Sequence, residues 1–192
     1  LQSNKEVTPL KAQKPVKSDL LRANTILQEA KKHLDDDAEQ ALKLAEQGLA
    51  MTVPKRDKHN ETRARLLLIL TTYYSMPKNL NKALVSEYGL EGLALSREIK
   101  NVQLQTQFLS ELGTGYGMSG DISPAHDFLD EAFTLANSID DKPAALAAVN
   151  GLAITKIELA KFDEAARLLQ QGIALAKALG NTQLELGLNH NL

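Results

Sequence analysis

The sequence contains no cysteine at any of its 192 positions. Disulfide staples and thiolate zinc sites are therefore excluded, and the redox compartment stays open. Tryptophan is also absent and aromatic residues make up only 4%, whereas Leu and Ala dominate, which favours helix over sheet. The net charge is −2 and the pI about 6.1, so the chain carries no whole-molecule field that would hold nucleic acid or an anionic membrane. Long apolar runs are missing as well. The longest clear one, Leu66 to Leu70, is five residues, and direct membrane insertion is not expected. The four histidines, His33, His59, His126 and His190, show no metal-ligand spacing, and no Ser, His and Asp constellation can be argued, so neither a metal site nor a catalytic set is expected. The first residue is Leu, which is compatible with a removed signal peptide; the cytoplasm and an exported location both remain open.

What the sequence does have is a period. From Gln103 to Thr182 two halves of 40 residues follow one pattern of large and small side chains: Leu112 answers to Leu152, Ile122 to Phe162, Ala125 to Ala165, Leu135 to Leu175 and Ala136 to Ala176. Going back by the same step gives Leu95, Gly92 and Ile99, and going forward from Leu152 gives Leu192. Self-similarity of this length marks a helical repeat array, in which each unit buries its apolar face only by stacking on its neighbours.

Within one unit the order is Leu112-Gly113, Tyr116, Gly120, Ile122, Ala125, Leu129, Ala132, and the next keeps Leu152, Ala153, Ala160, Phe162, Ala165, Leu169 and Gly172 with Lys156 in place of Tyr116. This resembles the tetratricopeptide repeat (TPR), in its long branch, since the usual unit is 34 residues. The physical sense of the pattern is close packing: Gly113, Ala125 and Ala132 let helix axes approach while Leu112 and Tyr116 fill the space between. The resemblance implies an all-α, right-handed superhelical array of antiparallel helix pairs.

In chain order, residues 1–18, with Pro9, Pro15 and four lysines, read as a flexible tether, and 19–192 as a repeat domain of about four units plus the first helix of a fifth. Helices are expected near 19–34, 38–51, 61–76, 80–98, 102–118, 123–138, 142–159, 162–179 and 182–192. Asp35-Asp36-Asp37 caps the second of these and fans around a turn instead of converging on a metal. Thr52 to His59 is a loop with a small basic cluster at Lys55, Arg56 and Lys58, and Asn60 is a plausible cap. Ala83 is taken as the counterpart of Ala125; its distance to Gly92 is then two residues too long, which predicts an overlong or overwound helix. Ser123-Pro124 reads as an N-cap followed by proline at the first helical position, and Asp140 or Asp141 before Pro143 repeats the device. Asn181 caps the final helix.

Gly115-Tyr116-Gly117-Met118-Ser119-Gly120 matches the dinucleotide fingerprint G-x-G-x-x-G, and Asp140 lies 20 residues beyond it. That motif needs a preceding strand, but here the preceding segment shares its register with an amphipathic helix, and Gly120 falls at an interhelix turn. No cofactor is expected.

The resemblance implies that the first helix of each pair lines a concave face holding an extended peptide or a partner helix. Counted from Leu112 and its equivalents, the polar candidates there are Arg65, Thr72, Gln107, Ser110, Thr114, Asn150 and His190, interspersed with Leu68, Ala147, Ile154 and Gly187. This face is polar, with Arg65 as its only cation, and lacks the lysines with which chaperone-binding members clamp a C-terminal carboxylate. The expectation is a non-enzymatic module whose partner is a protein or peptide, not nucleic acid. The alternative is a sensory or regulatory segment of a larger signalling protein. The open C-terminal end leaves homo-oligomerisation as an option.

Overall fold

A computed structural model describes residues 17–34, 36–52 and 57–192. The expected tether lies outside the described residues except for its last two positions, as do Asp35 and residues 53–56 of the basic loop. Among the described residues the regular structure is all helix: α1 (Lys17–Lys32), α2 (Ala38–Ala50), α3 (Asp57–Ser75), α4 (Lys82–Glu98), α5 (Val102–Met118), α6 (Ile122–Ser138), α7 (Lys142–Glu158), α8 (Phe162–Ala178) and α9 (Thr182–Asn191), with a short 3-10 turn at Pro77–Asn79.

From α4 onward a helix starts every 20 residues, and the turns repeat with the same step. Lys100, Gly120, Asp140, Ala160 and Gly180 all have positive φ, from 53° to 82°. Each closes the helix before it. The amide one position later donates back across the turn, as from Asn101 N to Ser96 O (2.9 Å), Asp121 N to Tyr116 O (3.0 Å) and Lys161 N to Lys156 O (2.9 Å). This is the Schellman arrangement, which satisfies carbonyls that the helix end leaves open. Gly120 and Gly180 enter it without steric cost, whereas Lys100, Asp140 and Ala160 each accept roughly 1–2 kcal/mol of strain.

The structure corrects the expected start and turn details in three places. First, α4 has 17 residues, the same as α6 and α8, and is neither overlong nor overwound. The counterpart of Ala125 is the fully buried Val85, and Ala83 is exposed. The two extra residues lie before the helix, in the 3-10 turn that Pro77 forces after α3. Secondly, α6 is capped at Asp121, not Ser123; its carboxylate makes no cap bond and pairs instead with Lys82 at the start of α4. Pro124 still falls in the first turn, where a missing N–H costs nothing. Of the two alternatives before Pro143, Asp141 is the cap, accepting from Ala144 N at 3.1 Å. Thirdly, α3 starts at Asp57, so Asn60 is inside the helix and buried. Its amide donates to Glu98 at 3.2 Å, and Thr62 donates to Asn24 at 2.7 Å, so this stretch cross-links α1, α3 and α4. Asp37 and Asn181 cap α2 and α9 as expected, accepting from Gln40 N (3.0 Å) and Leu184 N (3.1 Å).

The helices form two layers. Each packs on the next in sequence, and in addition α1 packs on α3, α3 on α5 and α5 on α7. The first helices of the pairs thus make a closely spaced inner layer with α2, α4, α6 and α8 behind it, an arrangement that curves the array around the inner face. Small residues on the outer helices receive large ones from the inner. A Cβ added at Gly92 would fall 2.0 Å from the Phe108 ring, and one at Gly89 2.7 Å from Leu112. Gly48 does the same for Leu66. Gly113 and Gly115 reverse the roles, since they sit on the inner helix α5 and receive Leu129 and Val85. The core follows these contacts, with one cluster around Phe108, Leu109 and Leu112, a second around Leu27, Leu66 and Leu70, and a third around Leu146, Val149 and Leu169.

Candidate binding groove

The inner layer is helical, so side chains three, four and seven apart on α3, α5 and α7 share a face, and equal registers on successive helices lie side by side. Two adjoining cavities open on that face. The larger, about 810 Å³, is lined by Arg65, Leu68 and Thr72 of α3, Gln107, Ser110 and Glu111 of α5, and Ala147 of α7. The smaller, about 620 Å³, is lined by Thr114 of α5 and by Ala147, Asn150 and Ile154 of α7, with Leu129 of α6 also contributing. Ala147 belongs to both walls. His190, on α9, is exposed and lines neither.

The polar groups on this face fall into two sets. Arg65 is occupied: its guanidinium donates to Glu61 Oε1 at 3.1 and 2.9 Å, one helical turn away. Thr72 is occupied as well, donating to Glu111 Oε1 at 3.0 Å. By contrast, Gln107, Ser110, Thr114 and Asn150 have no hydrogen-bond partner among the described residues, although Ser110 and Asn150 are half-buried. Amide and hydroxyl groups held free in a concave wall can each donate to and accept from a peptide backbone.

The face is more charged than the row count implied. Lys31 and Asp141 reach the larger cavity, Glu158 the smaller, and Glu111 stands in the wall of the larger one. Sequence reasoning missed Glu111 because it counted positions two and five removed from Leu112, and Glu111 is one removed. A signal was present: the same register carries Ile69 in the preceding unit and Gly151 in the following one, so a carboxylate there is out of pattern. Thr72 and Ser75, both of α3, hold its two oxygens, Ser75 donating to Oε2 at 2.5 Å. Burial pushes the Glu111 carboxyl above its ordinary value, and the two hydroxyls pull part of the way back.

This shift has a checkable sign. A carboxyl with a higher pKa in the folded state binds its proton more tightly there, so its contribution to stability is fullest below the unfolded value, near 4.5, and is lost as the pH rises through the folded one. Glu111→Gln cannot ionise. Its stability relative to wild type should therefore improve between pH 4 and pH 7, read as the difference in urea midpoints; a difference that stays flat would mean that Glu111 is solvated as well in the fold as in the open chain.

The fingerprint-like glycines belong to no phosphate cradle. Gly115 and Gly117 lie inside α5, and Gly120, with φ 82°, is the turn to α6. Gly115 makes room for Val85, whose Cγ1 would be 2.7 Å from an added Cβ. Gly117 would meet only Ala125 at an ordinary 3.6 Å, and nothing in the packing explains it. Among the described residues no helix is long and apolar enough to cross a membrane.

No family model matches the sequence, and no curated protein does so. Solved structures do match. Aspartyl phosphate phosphatase F from Bacillus subtilis superposes with a TM-score of 0.79 at 14% identity, over 92% of this chain and 45% of its own, so this chain spans less than half of that protein. The nearly identical TPR-like repeats of a Podosopora anserina protein named for kinesin light chain superpose with a TM-score of 0.70 at 18% identity, over 92% of this chain and 85% of that one. A second structure of those repeats gives 0.65 at 17%, over 90% and 84%. The fold is that of a TPR-type helical repeat.

Proposed function

We propose that this TPR-type array is a non-enzymatic interaction module that holds a peptide or an extended segment of a partner protein in the groove of its inner helices. The observation that carries the reading is the row of free amides and hydroxyls, Gln107, Ser110, Thr114 and Asn150, along two cavities that share Ala147. Such groups suit the backbone of an extended chain better than a highly charged ligand. The smaller cavity, with Ile122, Leu129 and Ile154 in its wall, suits an apolar side chain of the same ligand. Arg65, Thr72 and Glu111 would frame the other end. His190 stays in the proposal as an outlying contact one unit beyond Asn150.

A second reading is a regulatory repeat segment within a larger signalling protein. The likeness to part of aspartyl phosphate phosphatase F, a protein more than twice the matched length, supports it.

Asn150 is the residue to test. Partner capture with the wild-type chain, followed by titration of the captured partner, should show Asn150→Ala weakening binding by about 0.5–1.5 kcal/mol, the worth of one hydrogen bond, with little change in stability. Lys161→Ala, at the exposed start of α8, serves as the control and should bind as wild type does. Equal affinities for wild type and Asn150→Ala would remove Asn150 from the site.

A further inference from the structure

We propose that Glu111 is a specificity residue that selects a ligand peptide carrying a lysine or arginine side chain, whose cationic head it receives in the larger cavity. This rests on the peptide-groove reading above and narrows it to a class of ligand.

The fold does not need an acid at this position. In the flanking units the same register is filled by Ile69, which is buried, and by Gly151, and both pack without a charge. The acid is nonetheless held firmly. Thr72 and Ser75, from the neighbouring inner helix, each donate to a different carboxylate oxygen, so the group is oriented before any ligand arrives. What it lacks is a counter-charge. Among the described residues no lysine or arginine pairs with Glu111. Arg65, in the same wall, is committed to Glu61. A carboxylate withdrawn from water without a cation is costly, and a cation placed beside it recovers that cost.

The cavity also fits the rest of such a side chain. Leu34, Leu68, Ile69, Met76 and Pro143 line it, an apolar sleeve for the methylene stem of lysine or arginine, which buries its stem along apolar surface and keeps its head for a polar partner. At about 810 Å³ it has room for one long side chain and the backbone that carries it. Lys31 and Arg65 share the cavity with Glu111 and Asp141, but Arg65 is committed to Glu61 and Lys31 is exposed, which leaves Glu111 as the withdrawn charge that meets a ligand head.

The test is selection of a displayed random dodecapeptide library on the whole chain, with Glu111→Gln selected in parallel and circular dichroism confirming that the variant folds. The selected wild-type peptides should share one lysine or arginine position. Replacing that residue by norleucine should weaken binding to wild type about tenfold to a hundredfold and leave binding to Glu111→Gln nearly unchanged, because the charge pair is already lost there. Peptides that bind the groove without a shared basic residue, or a norleucine penalty of equal size in both proteins, would overturn the role of Glu111 while leaving the groove reading intact. Recovery of no binding peptide at all would overturn both.

Discussion

Replacing Phe108 by alanine is expected to destabilise the fold by about 3–5 kcal/mol, the usual cost of emptying a buried phenylalanine site. Phe108 is fully buried on α5, which packs against α3, α4, α6 and α7. Its ring lies directly on the backbone of α4, where Gly92 leaves room: an added Cβ would stand 2.0 Å from Cζ and 2.2 Å from Cε1. For a chain of this size the thermal midpoint should fall by about 6–20 °C. The same contact gives the check on mechanism. Gly92→Leu alone should be unfavourable through overpacking, but combined with Phe108→Ala it should refill part of the void, giving a favourable coupling of about 0.5–3 kcal/mol. Strictly additive effects in urea denaturation would mean that the ring and Gly92 do not share that space.

Gly113→Leu should cost about 1–3 kcal/mol by forcing α5 and α6 apart. The glycine faces Leu129, whose Cγ would be 2.5 Å from an added Cβ, and the Ala125 carbonyl oxygen at 3.3 Å, so the side chain meets backbone as well as a leucine that could turn aside. Nicotinamide cofactors should meanwhile leave the wild-type thermal midpoint unchanged, because the glycines of the fingerprint lie on α5 and its turn, with no strand before them. A saturable stabilisation by NAD would contradict that assignment.

How far the fold was legible follows from the same residues. The 40-residue period in Leu112, Ala125 and Ala136 is a packing pattern, and packing patterns survive in sequence because large and small side chains must alternate across the helix interface. The 20-residue rhythm of the helices was legible as well, in the expected starts near 102, 123, 142, 162 and 182, but the left-handed turn positions between them were not. They hold Lys100, Asp140 and Ala160 as well as Gly120 and Gly180, because the Schellman hydrogen bonds offset the strain that a side chain meets there. Ala83 was misread for Val85 because a small residue was sought where a β-branched one packs against Gly115. Asn60 looked like a cap because polar residues near a helix start usually are, whereas here its partner is Glu98, distant in sequence. Glu111 escaped because the rows counted from Leu112 passed it by; its charge, out of pattern between Ile69 and Gly151, was visible, but the Thr72 and Ser75 that hold it lie in another helix.

The claim that the inner helices bind is tested most directly by chemical-shift mapping of the isotope-labelled chain with a captured partner peptide. Shifts should concentrate along the inner row, at Arg65, Thr72, Gln107, Ser110, Thr114 and Asn150, and be absent from the outer row of exposed residues Leu90, Asp130 and Gln170. Shifts that follow Leu90, Asp130 and Gln170 and leave the inner row unmoved would contradict it.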